Sequence, residues 1–124
     1  MSQPDAVNPA RVLVADDDDA VRTVVGDILE EEGFLVVGRA VDGVEALAMA
    51  RALGPDVIVL DVRMPRLGGL EAARQLRPDA PDVRLVILSA YDDPTLVQEA
   101  RAVGAAAFLV KGCSLDELID AIAA

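Results

Sequence analysis

The stretch Val57-Ile-Val-Leu-Asp61 joins a short, continuously apolar run to a carboxylate. Four further runs rich in Val, Ile, Leu or Ala are bounded by turn residues, at positions 12–15, 34–37, 83–88 and 106–110. Short, predominantly apolar runs of this length are typical of strands that are covered on both faces of a parallel sheet. The sequence therefore predicts five buried strands.

Each of these runs is followed by a segment in which apolar residues recur every three or four positions. That spacing gives a helix one apolar face. Glycines stand where left-handed helix ends are expected, and two pairs of residues have the spacing of N-terminal caps. The glycines are Gly33, Gly54 and Gly104, and the capping pairs are Asp93 with Pro94 and Ser114 with Glu117.

Five strands alternating with five helices through short connections predict an α/β fold, with a doubly wound parallel sheet and right-handed crossovers. Five units are too few for a closed eight-stranded barrel, so the sheet is expected to be open, in the flavodoxin-like (βα)5 strand order 2-1-3-4-5. In this order the ligand crevice lies outside the carboxyl ends of strands 1 and 3. Residues 1–10 are interpreted as a flexible N-terminal arm and residues 11–124 as one domain.

Composition excludes several classes of function. The net charge is -11, which disfavours binding to nucleic acid or to an anionic membrane surface. The chain has no histidine and a single cysteine, so it contains no Ser-His or Cys-His nucleophile pair, histidine phosphocarrier or intrachain disulfide. Apolar runs are far shorter than the roughly 20 residues of a membrane span, and no signal peptide is recognisable. A cytoplasmic protein is expected.

Polar side chains follow four of the five predicted strands. Asp16 and Asp17 end the first, Asp61 the third and Ser89 the fourth, and Lys111 follows the fifth. Carboxylates gathered at one sheet edge repel one another unless a cation neutralises them, and an all-oxygen ligand set favours a hard ion. The sequence therefore predicts a Mg²⁺ site.

A carboxylate, Mg²⁺, a hydroxyl and a lysine together suit phosphoryl transfer onto an aspartate. Asp61 is the predicted phosphoacceptor. The predicted metal ligands are Asp61, Asp17, Asp16 and the backbone carbonyl of Arg63, while Ser89 and Lys111 are expected to hold phosphoryl oxygens. Further acidic residues, at positions 18 and 19, are assigned to the start of the first helix rather than to the metal.

At these positions the sequence resembles a known family. Residues 12–17 (Val-Leu-Val-Ala-Asp-Asp), 59–65 (Val-Leu-Asp-Val-Arg-Met-Pro), 88–90 (Leu-Ser-Ala) and 108–111 (Phe-Leu-Val-Lys) look like the receiver domain of two-component response regulators. Tyr91, Asp92 and Gly112 are most similar to its NarL-like branch, although the commoner pattern in the family has proline after the lysine.

The resemblance implies that a sensor histidine kinase phosphorylates Asp61 and that the domain is a signalling switch, not an enzyme. Ser89 and Phe108 match the family's switch positions. The surface expected to change comprises the fourth helix, the fifth strand and the fifth helix, which would contact an effector domain or form a homodimer. Arg63 and Tyr91 are expected near the mouth of the pocket, where their bulk would slow hydrolysis of the acyl phosphate.

Three alternatives remain at this point. A haloacid-dehalogenase-type phosphatase needs a second aspartate two residues after the nucleophile, where this chain has Arg63. A flavodoxin-type FMN protein needs a hydroxyl- or glycine-rich phosphate loop, whereas the first loop here is acidic. A receiver-like module that binds proteins without phosphate is the main competitor. The kinase, the stimulus, the oligomeric state and any effector domain beyond residue 124 are not visible in the sequence.

Overall fold

The computed structural model describes residues 9–123 and confirms the predicted alternation of strands and helices. Most of the proposed N-terminal arm, residues 1–8, lies outside the described residues. In chain order the elements are β1 (Arg11–Ala15), α1 (Asp19–Glu31), β2 (Leu35–Ala40), α2 (Gly43–Leu53), β3 (Val57–Leu60), α3 (Gly69–Leu76), β4 (Arg84–Ser89), α4 (Pro94–Ala102), β5 (Ala107–Val110) and α5 (Leu115–Ala123).

The five strands form one parallel sheet in the order β2-β1-β3-β4-β5, as predicted. β1 and β3 are neighbours, with Ala15 opposite Leu60. The residues that follow these two strands therefore emerge side by side at the carboxyl edge of the sheet. This is the point at which the chain reverses its winding direction and where an open α/β sheet binds ligands.

The sheet is covered on both faces, and its strand residues alternate between two apolar clusters. Leu13 and Ala15 pack with α2, α3 and α4. Val12 and Val14 point the opposite way and pack with α1 and α5. Because successive side chains of a strand face opposite sides, the continuous apolar runs of the sequence supply both layers of the core.

The helix ends agree with the capping pattern of the sequence. The carboxylate of Asp93 accepts a hydrogen bond from the backbone of Leu96, with Pro94 in the first turn, and the hydroxyl of Ser114 accepts one from Glu117 N–H. The glycines at positions 33, 54 and 104 have positive φ angles of 94°, 56° and 78°. The side chain of Asp18 caps α1, which confirms a structural role for it.

Strand β2 is longer than predicted, because Gly38 and Arg39 interrupt the apolar run without ending the strand. Arg39 is accommodated at this sheet edge because its guanidinium crosses α1 at Gly26 and pairs with Asp27 and Glu30, 3.0 Å from each. The register between β1 and β2 also shifts, so that one residue of β2 is bulged out.

Helix α4 is attached to the domain mainly at its C-terminal end. Within the helix only Ala100 is buried. Beyond it, the guanidinium of Arg77 donates hydrogen bonds to the carbonyl oxygens of Val103 (3.1 Å) and Gly104 (2.9 Å), and to that of Val83 just before β4 (2.7 Å). Arg77 therefore ties the end of α4 to the segment that leads into β4.

None of the helices among residues 9–123 combines the length and the apolar character that crossing a bilayer demands.

Candidate functional site

Three carboxylates meet at the carboxyl edge of the sheet. Asp16 and Asp17 follow β1, and Asp61 follows the adjacent β3. One carboxylate oxygen from each residue lies within 4.8 Å of the others. Asp16 and Asp61 are buried, whereas Asp17 is exposed to solvent. The structure thus brings together the three side chains that the sequence proposed as metal ligands.

Backbone hydrogen bonds hold this edge in place. The N–H of Asp61 donates to the carbonyl of Ala15 (3.0 Å), and the N–H of Asp16 donates to that of Ala40 (3.1 Å). One oxygen of the Asp16 carboxylate accepts the N–H of Asp18 at 2.9 Å. The backbones of Asp16 and Asp61 therefore extend the hydrogen-bond ladder of the sheet, and the positions of their carboxylates follow from the strand register.

Lys111 bridges the buried carboxylates. Its Nζ lies 2.9 Å from Oδ2 of Asp16 and 3.3 Å from Oδ2 of Asp61. The residue after it, Gly112, has a φ of 98°, which glycine adopts readily. Partial burial acts to lower the pKa of Lys111, but the carboxylates of Asp16 and Asp61 outweigh it and the pKa is raised. The ammonium group is therefore firmly charged at neutral pH.

Lys111 is also the only lysine of the sequence, whereas the other ten basic residues are arginines. An ammonium is a compact point charge on a flexible stem, while a guanidinium is a planar fork. The side chain that reaches the acidic cluster is therefore chemically distinct from every other cation of the protein.

Burial and the neighbouring charge of Asp16 raise the pKa of Asp61 to about 6, although Lys111 acts in the opposite direction. Ionised Asp61 is thus disfavoured, and one ammonium does not balance the cluster. A divalent cation would remove this imbalance, and three carboxylates provide the oxygen donors that Mg²⁺ prefers. The residues present fit a hard divalent ion.

Ser89 is the last residue of β4 and is fully buried. Its Oγ accepts a hydrogen bond from the backbone N–H of Tyr91 (3.0 Å), and its carbonyl accepts one from Lys111 N–H (2.7 Å). Ser89 is therefore bonded to the loop that leads into α4 and also to the residue that carries the lysine.

The two bulky residues expected at the pocket mouth contact each other. The guanidinium carbon of Arg63 lies 4.2 Å from the centroid of the Tyr91 ring, within the range of a cation–π interaction. Both side chains are exposed. The loop after β3 and the loop after β4 are thereby joined by a side-chain contact.

Phe108 lies on β5, away from the carboxylates. Its half-buried ring packs against the apolar cluster on the face of the sheet that α2, α3 and α4 cover. The ring also borders a cavity of about 130 Å³ together with Val97, Ala100 and Arg101. Space for a large side chain therefore exists between β5 and α4, where a switch residue is expected to act.

Two features near the site were not found from the sequence. Nη1 of Arg22 donates to the backbone carbonyl of Asp16 at 2.8 Å, and Arg22 also pairs with Asp19. In addition, Arg66 pairs with the buried Asp42 at the start of α2. A basic residue one turn after the acidic run could have indicated the first; nothing local in the sequence indicated the second, because its partners are 24 residues apart.

Known proteins are similar to this chain along nearly its whole length. Residues 12–123 match the family model described as the response regulator receiver domain. The chain is 42% identical over 120 residues to the transcriptional regulatory protein PdtaR of Mycobacterium tuberculosis, covering 95% of this chain and 57% of that protein. It is 42% identical over 113 residues to the response regulator GacA of Pseudomonas aeruginosa, covering 90% and 53%. The chain thus spans little more than half the length of these curated relatives.

Two solved structures are similar over more than nine-tenths of both chains. The signal receiver domain of NarL from Mycobacterium tuberculosis has a TM-score of 0.88 and 38% identity, covering 94% of each chain. The complex of CheX and CheY with beryllofluoride and magnesium from Borrelia burgdorferi has a TM-score of 0.90 and 25% identity, covering 97% of this chain and 91% of that one. The strand order and the arrangement of helices are therefore those of known receiver domains.

Proposed function

Because the chain belongs to the response regulator receiver domain family, we propose that it accepts a phosphoryl group on Asp61 in a Mg²⁺-dependent reaction and thereby switches a signalling output. Receiver domains are signalling modules rather than classical enzymes. One observation carries the proposal. The carboxylates of Asp16, Asp17 and Asp61 converge within 4.8 Å, and Lys111 contacts two of them.

In the proposed reaction a carboxylate oxygen of Asp61 forms a bond to phosphorus while the bond from phosphorus to the donor breaks. With a phosphohistidine donor, the electron pair of the broken bond stays on the imidazole nitrogen, which becomes protonated from solvent. Ionised Asp61 is the reacting form, and the ammonium of Lys111, 3.3 Å away, favours ionisation. Mg²⁺, when bound by Asp16, Asp17, Asp61 and the Arg63 carbonyl, supplies positive charge for the phosphoryl oxygens.

The protein groups around Asp61 have separate tasks in this scheme. The ammonium group of Lys111 pairs with one oxygen of the phosphoryl group once that group is bound to Asp61. Ser89 exchanges its bond to Tyr91 N–H for a bond from its hydroxyl to a second oxygen. That exchange frees the loop before α4 and, with Phe108 turning into the space beneath α4, alters the surface formed by α4, β5 and α5.

This surface is the proposed output, acting on an effector domain or on a second copy of the chain. The proposed donor is a sensor histidine kinase. The family and the acidic net charge of -11 support a cytoplasmic protein that binds neither nucleic acid nor membrane through this domain.

The test is the intact mass of the protein after incubation with acetyl phosphate, with and without Mg²⁺. We expect one phosphoryl adduct that requires Mg²⁺, is lost in Asp61→Asn and is retained in Asp82→Asn. Asp82 is a matched control because it is an exposed aspartate that precedes β4, at the opposite edge of the sheet. If the folded wild type forms no adduct under any condition, the proposal is wrong and a phosphate-independent binding module replaces it.

A further inference from the structure

An ion pair outside the acidic cluster links two loops beside it. Arg66 lies in the β3–α3 loop (residues 61–68), and its guanidinium pairs with Oδ2 of Asp42, the residue that precedes α2. The Asp42 side chain is only 1% exposed, whereas that of Arg66 is 68% exposed. A buried carboxylate is thus reached by a cation that crosses from a neighbouring loop, and this cation takes no part in the proposed chemistry.

Asp42 is fixed independently of Arg66. Its Oδ1 accepts the N–H of Glu45 at 2.8 Å, and Oε1 of Glu45 accepts the N–H of Val41 at 3.0 Å, which is the reciprocal arrangement of a capping box. The hydrogen bond from Glu45 and the charge of Arg66 lower the pKa of Asp42 despite its burial. The start of α2 therefore presents a rigid, ionised anchor to the loop.

The loop itself has a conformation that needs an anchor. Arg66 has a φ of 68°, and among residues 9–123 it is the one residue other than glycine with a positive φ. A side chain in this region carries a conformational cost, which persists only where the surroundings enforce it. The pair with Asp42 is the contact that compensates an arginine at this position.

Two close approaches of the backbone complete the attachment. A Cβ atom on Gly43 would collide with the carbonyl oxygen of Leu67, and one on Gly69 would collide with that of Asp61. The N–H of Gly69 also donates to the carbonyl of Val62 at 2.8 Å. The loop is thus held against α2 on one side and against the exit of β3 on the other, with Arg63 between the two attachments.

We propose that Arg66 and Asp42 are positioning residues for the metal site: their ion pair presets the β3–α3 loop so that the Arg63 carbonyl faces the cation before it binds. This inference rests on the proposed function, because it concerns the Mg²⁺ site at Asp61. Neither residue belongs to the predicted set of ligands, so their effect would be on the geometry of a ligand. Partners that orient metal ligands commonly change metal affinity by about tenfold or more when removed.

Electrostatics alone makes the opposite prediction for one variant. Arg66→Gly removes a positive charge from the loop that follows Asp61, which by itself would strengthen the binding of a cation. Glycine also adopts a φ of 68° without cost, so the backbone of the variant remains compatible with the native loop. Weaker Mg²⁺ binding in Arg66→Gly is therefore a signature of lost positioning.

The experiment is calorimetric titration of Mg²⁺ into the metal-free wild type and into Arg66→Gly, Asp42→Asn and the double variant. Asparagine retains an oxygen for capping α2, so Asp42→Asn removes mainly the ion pair. We expect each single variant to bind Mg²⁺ about tenfold more weakly, and the double variant to be no weaker than either. Amide hydrogen exchange at Leu67 and Gly69 in the metal-free protein should be faster in all three.

Arg51→Gln is the matched control, because it breaks an exposed ion pair with Asp79 outside the β3–α3 loop. It should leave both Mg²⁺ affinity and the exchange of Leu67 and Gly69 unchanged. Wild-type affinity or tighter binding in Arg66→Gly overturns the inference while leaving the proposed function intact. A wild type that binds no Mg²⁺ removes the proposed function, and the inference with it.

Discussion

The two halves of the sheet differ in how firmly their helices are packed. On one side, α2 and α3 each bury a full face, and β1 and β3 are almost wholly buried. On the other side, α4 buries Ala100 alone, and the residues of β5 are half-buried or exposed. The three carboxylates follow strands of the firm half, whereas Ser89 ends β4 and Lys111 follows β5, in the loose half.

This difference separates chemistry from response. A metal site needs ligands held in fixed geometry, and the firm half provides them through strand register and backbone hydrogen bonds. A switch needs an element whose alternative positions differ little in free energy, and few buried apolar contacts, as in α4, favour such an element. A phosphoryl group on Asp61, as proposed, would add its charge in the firm half, next to Ser89 and Lys111 at the ends of β4 and β5.

The difference in packing between the two halves can be tested most directly by replacing one leucine in each half with alanine. Leu76 of α3 is buried, whereas Leu96 of α4 is partly exposed. We expect Leu76→Ala to lower the free energy of unfolding by about 3 kcal/mol and Leu96→Ala by about 1 kcal/mol. Urea denaturation of both variants measures the difference. Equal losses would show that the two halves are equally well packed.

A second experiment removes Lys111, the cation that follows β5 and contacts two carboxylates of the firm half. Lys111→Ala should slow phosphorylation by acetyl phosphate about 100-fold, because a charge directed at the phosphoryl oxygens is lost. The metal-free variant should also unfold at lower temperature, since Asp16 and Asp61 lose their shared partner. Arg101→Ala removes an exposed cation of α4 and should change neither property. A phosphorylation rate that survives in Lys111→Ala would remove the lysine from the mechanism.

A third experiment measures how much the ionised carboxylate of Asp61 destabilises the folded protein. The pKa of Asp61 is raised from 3.8 to about 6, so the folded state retains a proton that the unfolded state loses. The stabilisation from this proton is complete below the unfolded value and disappears as the pH rises through the folded one. In the metal-free protein, Asp61→Asn should match the wild type below pH 4 and exceed its stability by up to about 3 kcal/mol above pH 6.

Saturating Mg²⁺ should abolish most of that advantage, because the bound ion stabilises the wild type by compensating the charge of the Asp61 carboxylate, which the variant lacks. Urea denaturation across this pH range, with and without the metal, gives both curves. An advantage of Asp61→Asn that does not depend on pH would mean that the burial of the carboxyl group is not its cause.

The smallest expected effect concerns the contact that joins the two halves at the pocket mouth. Replacing Arg63 and Tyr91 together by alanine opens a path for water to the acyl phosphate. We expect the phosphoryl lifetime to fall roughly threefold, in line with the modest energy of an exposed cation–π pair. The decay of the phosphorylated mass with time measures it. An unchanged lifetime would mean that the two side chains do not shield the site.

The elements of the fold and the residues of the site could be predicted from the sequence, whereas the contacts that support them could not. The alternation of strands and helices could be predicted because apolar periodicity is a local property. The strand order, and with it the meeting of Asp16, Asp17 and Asp61, followed from the order that doubly wound sheets of five units commonly adopt. The extra length of β2 was missed because Arg39 is stabilised by α1, a tertiary contact. The Arg66–Asp42 pair was missed for the same reason. Local sequence identifies the atoms of the site, while the supports of the site depend on the folded chain.

The attachment of α4 by Arg77 has a mechanical consequence. A nine-residue helix is about 13 Å long. Because the guanidinium fixes the carbonyl oxygens just beyond its C-terminal end, that end of the helix is anchored, whereas Pro94 at the other end is exposed to solvent. A tilt of about 10° about the anchored end would move Pro94 by about 2 Å. The arrangement gives the largest displacement at the end of α4 nearest Ser89.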